Sequence, residues 1–316
     1  MKSTIKIVLI VVLSCLIASA YGQSDSLKTV KKIPSLNGHS FVSFNQFRTS
    51  FIRSNLFANM GFGVTSTLKI PGFVINDQEL LTFEGKLFFF DLDVRYQQRF
   101  RPWLAMYVSF KMAGRIGSDI STILVDGVNT ISGGGIGWLI RIHEWGKFNL
   151  SGSIGINNLK GNFINVTKYF EDLINEIPNP QIINSIPATS VGIGIYGAYG
   201  INPTIGLQFQ SEFIYGESFV RGDSKGFFNG GVVVDIDFDP KYRVPVNIGL
   251  GYDLSSEPSV VMESGEVTNS FMARIAYSGA QDFELGAQMN YYDIVIDNLD
   301  RKPFVTKIVL SFKFYF

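Results

Sequence analysis

The sequence predicts an all-β fold: a transmembrane, antiparallel, up-and-down β-barrel of about twelve strands, with fourteen as the alternative, and one short helix in a long loop. Three observations lead there. Apolar residues recur at every second position in stretch after stretch. The connections between those stretches alternate between short and long. No window after the N-terminal leader reaches the roughly 18 consecutive apolar residues of a spanning helix.

The last strand shows the pattern most clearly. In 303–316 one parity reads Phe304, Thr306, Ile308, Leu310, Phe312, Phe314, Phe316, and the other carries Lys307, Ser311 and Lys313. Side chains two apart share a face of a strand, so one face is apolar and the other polar. The same reading gives 57–69 (Met60, Phe62, Val64), 83–100 (Phe88, Phe90, Leu92, Val94), 103–115 (Leu104, Met106, Val108, Phe110) and 130–142 (Ile136, Trp138, Ile140). It continues through 148–158 (Ile154, Ile156), 189–201 (Val191, Ile193, Ile195), 204–216 (Leu207, Phe209, Phe213) and 226–238 (Val232, Val234, Ile236). It closes with 245–254 (Ile248, Leu250), 268–278 (Phe271, Ile275) and 283–294 (Leu285, Met289, Tyr291).

Short links fall at 101–102, 143–147, 202–203, 239–245 and 279–282. Long ones fall at 70–82, 116–129, 159–188, 217–225, 255–267 and 295–302. Short turns at one end and long loops at the other suit a membrane barrel with both termini at the short-turn end. In lipid every backbone N–H and C=O must be paired within the protein, so the sheet has to close. Phe100, Trp103, Trp145, Phe148, Tyr242, Phe283 and Phe314 lie near the turns, where amphipathic rings bridge tails and headgroups. A soluble β-sandwich would also alternate, but it seldom uses such uniformly long strands.

The final strand, with Phe312, Phe314 and the terminal Phe316, resembles that of Gram-negative outer-membrane β-barrel proteins. The resemblance covers about 57–316. It implies the cell outer membrane as location, outer-membrane lipid and the barrel-insertion machinery as partners, and these three phenylalanines as the insertion signal. On activity it is nearly silent.

Residues 1–22 have the layout of a secretory signal peptide: Lys2 and Lys6, an apolar run from Ile7, then Ala20 and Gly22 before the cut. The leader holds the one cysteine, Cys15, so the exported chain relies on no disulfide. Residues 23–56 form a periplasmic N-terminal segment or a small plug, and 57–316 the barrel. Within the first part, 23–38 is polar and expected to be mobile. In 39–56, Phe41, Phe44, Phe47 and Phe51 are spaced by three and four, which reads as a short amphipathic helix or an extra strand. In the loop 159–188, Thr167 as N-cap, the stripe Tyr169, Phe170, Leu173, Ile174, Ile177 and the stop at Pro178 predict a helix over about 167–177.

Formal charge is balanced, with 27 basic and 27 acidic residues, so no basic field attracts nucleic acid. The two histidines, His39 and His143, form no nucleophile–base set, and no catalytic residue or cofactor is assigned. The pair Asp235 and Asp237 lacks the glycine and bidentate glutamate of a calcium loop, so no metal is assigned either. Candidate lumen-facing residues are Asp91, Asp93, Arg95, Arg99, Lys111, Arg115, Glu212, Asp235, Asp237, Asp253, Arg274 and Glu284. Acids and bases balance, which fits either an internally paired interior or a weakly selective pore. The function expected is a passive channel or transporter for a small solute. The alternatives are a non-catalytic structural or binding barrel, or a fatty-acid-transporter-like barrel for hydrophobic solutes.

Overall fold

Twelve antiparallel strands close on themselves in the computed structural model. It describes residues 33–75, 78–117, 127–164, 169, 172–217, 224–257, 267–293 and 303–316, with backbone alone for 68–84, 117 and 127–128. The expected leader lies outside the described residues. Chain order begins with β1 (Ser35–Leu36), β2 (His39–Ser40), β3 (Asn55–Thr65), β4 (Leu68–Ile75), β5 (Gln78–Gly85) and β6 (Leu87–Arg101). It runs on through β7 (Leu104–Gly117), β8 (Gly127–Trp145), β9 (Phe148–Ile164), β10 (Ile183–Gly200) and β11 (Ile205–Glu217). It ends with β12 (Ser224–Asp237), β13 (Val246–Ser255), β14 (Thr268–Tyr277), β15 (Phe283–Asp293) and β16 (Phe304–Tyr315).

The barrel is β3, β6 to β16, in sequence order, and β16 pairs with β3 to remove the last edge. Twelve is therefore the strand number, not fourteen. Three details differ from the sequence reading. The link 70–82 is the greater part of a separate hairpin, β4–β5, so the first barrel strand stops at Thr65. The link 159–188 is shorter than expected, because β9 runs to Ile164 and β10 starts at Ile183. Of the helix expected over 167–177, residue 169 and residues 172–174 are helical, turning at 175–176, while 167, 168, 170 and 171 lie outside the described residues.

The alternation sorts side chains as membrane closure requires. Outward residues such as Phe62 (60% exposed), Ile193 (55%) and Leu250 (58%) stand bare. Their inward neighbours, such as Asn59, Ser151 and Asn247, are buried. At the short-turn end Phe100, Trp103, Trp145, Tyr242 and Phe314 are exposed. That end also carries a four-residue helix, α1 (Asp239–Tyr242), which has Pro240 in its first turn and is capped by Arg243 in the left-handed region. Pro at the first turn loses no helical hydrogen bond.

Candidate functional site: the lumen and the segment inside it

Residues 33–54 run inside the barrel wall. They enter at the short-turn end, where the Ile33 N–H donates to the Gln281 carbonyl (3.3 Å) and Asn37 Nδ2 donates to the carbonyls of Gly200 and Ile201 (3.2 and 3.1 Å). Asn37 and Gly38, both at positive φ, turn β1 back on β2. Asn-Gly is the pair that a tight hairpin of this kind favours. The segment then crosses the lumen, turns where the Phe47 N–H meets the Phe44 carbonyl (3.1 Å), and returns to the same end to begin β3.

Between β2 and β3 the segment is neither the helix nor the extra strand expected of 39–56. Its phenylalanines are buried: Phe41 (2% exposed), Phe44 (1%), Phe47 (4%) and Phe51 (7%). Residues 33–38 are likewise packed against the short turns, which corrects the expectation of a mobile stretch there. The rings divide between two parts of the wall. Phe44 and Phe47 pack in one cluster with Val233, Met272 and Ala276, while Phe41 and Phe51 meet Leu36 and Ala198.

A coil buried inside a barrel must find partners for its backbone groups. Here the wall supplies many of them from its inward parity. The Ser40 and Val42 N–H groups donate to Asp237 (3.1 Å) and Asp235 (3.3 Å). The Ser43, Asn45 and Arg48 N–H groups donate to Glu284 (2.8 Å), Gln288 (3.2 Å) and Gln210 (3.2 Å). Carbonyls of Val42, Gln46, Ser50 and Phe51 accept from Gln208, Gln210, Asn149 and Gln97, all at 2.9 Å. Amide side chains suit this task because each offers both a donor and an acceptor.

The wall also leaves room for the rings. A Cβ at Gly249 would meet the Phe44 ring, one at Gly231 would meet Phe47, and one at Gly206 would meet His39 and Phe41. These inward glycines are sockets. Beside the segment, the cleft bounded by Ser43, Phe47, Arg95, Gln97 and Lys313 has a volume of about 30 Å³, room for water but not for a solute.

The candidate lumen residues fall into three groups. Asp235, Asp237, Arg274 and Glu284 are buried beneath the segment, with Arg274 and Glu284 paired at 2.9 Å. His39 sits 3.4 Å from Asp235 and edge-on to Phe41, so this histidine is a wedge in the wall. Around the turn of the segment, Asp93 pairs with Arg95 (2.6 Å), Asp91 with Lys307 (2.6 Å), and Asp253 is buried. Lys111 shares the inward parity of Tyr107 and Ala113 but is exposed, while Arg115 and Glu212 are half-buried and Arg99 is exposed near the rim. Among the described residues no cluster of His, Cys, Asp and Glu forms a metal site.

Sequence reasoning missed Arg48. Its guanidinium lies 3.6 Å from the centre of the Tyr107 ring and 5.9 Å from that of Tyr196. The two tyrosines lie against inward glycines: a Cβ at Gly137 or Gly155 would meet the Tyr107 hydroxyl, and one at Gly194 would meet that of Tyr196. Gly137 closes the GGGIG run at 133–137.

Toward the long-loop end the inward parity changes character: Leu87, Phe89, Ile131, Ile214 and Phe227 are all buried there. The lumen thus has a polar half holding the segment and an apolar zone above it.

No protein-family model matches the chain, and no curated protein matches it. Its fold is similar to several solved structures. The translocator domain of the autotransporter NalP from Neisseria meningitidis is 10% identical, with 86% of this chain and 90% of that chain covered and a TM-score of 0.49. A Pseudomonas aeruginosa FadL homologue is 9% identical over 84% of this chain and 91% of that one, with a TM-score of 0.45. The P. putida toluene transporter TodX is 7% identical over 84% and 90%, with a TM-score of 0.41. The likeness is one of fold alone.

Proposed function

We propose that the protein spans the outer membrane, short turns toward the periplasm, and moves a small solute through a lumen that residues 33–54 close at rest. It is a non-enzymatic, gated transporter rather than an open pore. The apolar outer parity and exposed aromatics at the short-turn end support the membrane setting. The observation that carries the gate is the fit between segment and wall: ring for socket at Phe44 and Gly249, and backbone for amide along Gln97, Asn149, Gln208, Gln210 and Gln288.

The test is solute flux. Vesicles carrying the intact chain should hold small sugars and amino acids, and vesicles carrying a chain without residues 34–50 should leak them. Equal leakage from both would remove the gate.

A second reading has its own observation. Strands β8, β9 and β10 are 19, 17 and 18 residues long, against 10 to 12 for β13 to β16, so one wall stands taller than the other. A barrel that docks a partner on that tall wall and never conducts is the alternative. It predicts that both vesicle preparations stay tight to every solute, and that the truncated chain fails to fold.

A further inference from the structure

We infer that Tyr107, Tyr196 and Glu212 form a recognition site for an organic cation bearing a guanidinium group, and that Arg48 fills that site in the closed state. The inference rests on the transport reading and names the solute class.

The site is built into the wall rather than left over from packing. Glycines at 137, 155 and 194 let the two tyrosines sink into the lumen wall. The Ser153 hydroxyl, 2.9 Å from the Tyr196 hydroxyl, fixes one ring. Tyr107 and Tyr196 are almost wholly buried, and Arg48 lies over both. Glu212 follows Gln210 on the inward parity of β11, and Gln210 grips the Arg48 N–H. Glu212 stands opposite Gly194, the glycine that makes room for the Tyr196 hydroxyl, and its carboxylate lies over the neighbouring Gly192. Aromatic faces with one carboxylate suit a planar, weakly hydrated cation.

The occupant is held incompletely. Arg48 Nε is buried with no hydrogen-bond partner. An arginine that served only to anchor the segment would be expected to use its donors, as Arg95 does on Asp93 and on the Phe47 carbonyl. A free guanidinium solute can take the same ring faces, and the turn at residues 44–48 must then move. Solute entry and release of the segment become one event. A ligand shifts an equilibrium only by its differential affinity for the two states, and here the closed state offers the solute no site at all.

The probe is butylguanidinium, with the neutral N-butylurea of similar shape as control, titrated calorimetrically into the full chain in detergent. Arg48→Ala should bind butylguanidinium about tenfold more tightly than the unaltered protein, the size of a desolvated cation–π contact. It should prefer the cation over butylurea by about tenfold, and Glu212→Gln added to Arg48→Ala should erase that preference. Arg48→Gln, which keeps the length of the side chain, repeats the test in a second background. The inference is overturned if Arg48→Ala and Arg48→Gln bind both probes equally, or bind the cation no better than the unaltered protein. Binding in detergent does not depend on flux. If vesicles with the chain lacking residues 34–50 stay tight while Arg48→Ala binds the cation, the transport reading alone fails; if those vesicles leak while Arg48→Ala shows no such binding, this inference alone fails.

Discussion

Arg95 holds Asp93 on its own strand through Nε and Nη2, at 2.8 and 2.6 Å. Its other contacts go to the segment: Nη1 donates to the Phe47 carbonyl at 3.2 Å, and Nη2 also donates to that of Asn45. Asp93 sets the guanidinium and the guanidinium grips the turn at its far point. Hydrogen bonds to a charged group contribute about 1.5–3 kcal/mol each. Arg95→Gln should therefore raise the open fraction of the barrel by about tenfold or more, read as leak of a small dye from vesicles. Unchanged leak would show that Arg95 is not a latch.

The sockets give an independent handle. Gly249→Leu puts a side chain where the Phe44 ring sits and leaves the segment itself unaltered. Overpacking of this kind costs about 1–3 kcal/mol. Protease added from the short-turn side should then cut within residues 39–54, which are protected in the unaltered protein. Continued protection would mean that the ring has another seat.

Arg274 and Glu284 are each 1% exposed at the side chain, and Glu284 also accepts the Ser43 N–H. Removing one member of a buried pair costs about 3–5 kcal/mol, because the other charge is stranded. Arg274→Ala should lower the unfolding midpoint in urea markedly. Arg274→Met with Glu284→Gln should recover most of the loss, since the amide still accepts from Ser43. A single substitution without effect would place water beside the pair.

Leu250 tests the membrane setting. It is 58% exposed on the outward parity of β13. An arginine on the lipid face near the midplane costs about 2–4 kcal/mol. Leu250→Arg should lower folding yield into lipid vesicles by that measure and leave detergent solubility intact. A neutral result would argue for a water-facing exterior.

The terminal ring stacks on Tyr96, 5.9 Å between centroids and 21° between planes. That contact is a small part of barrel stability. The resemblance to outer-membrane barrels assigns Phe316, with Phe312 and Phe314, to insertion. Deleting Phe316 should cut assembly in cells severely while the purified chain still refolds in detergent. Equal loss in both assays would make the ring structural.

Barrel architecture was legible because one alternation rule recurs through the middle of all twelve strands. The ends of β9 and β10 were not. There the outward residues are Asn158, Lys160 and Thr189, and Leu159 and Ala188 turn inward, so the apolar parity reverses and the alternation looks broken. The segment was misread for a related reason. Periodicity reports one apolar face, whereas Phe44 and Phe47 meet one part of the cylinder and Phe41 and Phe51 another, and the sequence does not display that cylinder locally. Two signals could have found it: the Asn37–Gly38 turn, and the inward amides at Gln97, Asn149, Gln208, Gln210, Asn247 and Gln288, more than a water-filled bore needs. Arg48 had no signal in the sequence, since its site is assembled from β7, β10 and β11.

Single-molecule conductance across planar bilayers tests the central claim most directly. The intact chain should insert and remain electrically silent, and the chain lacking residues 34–50, confirmed as folded by its resistance to protease, should give discrete steps. Steps of equal size from both would contradict the account, because the segment would then not close the lumen.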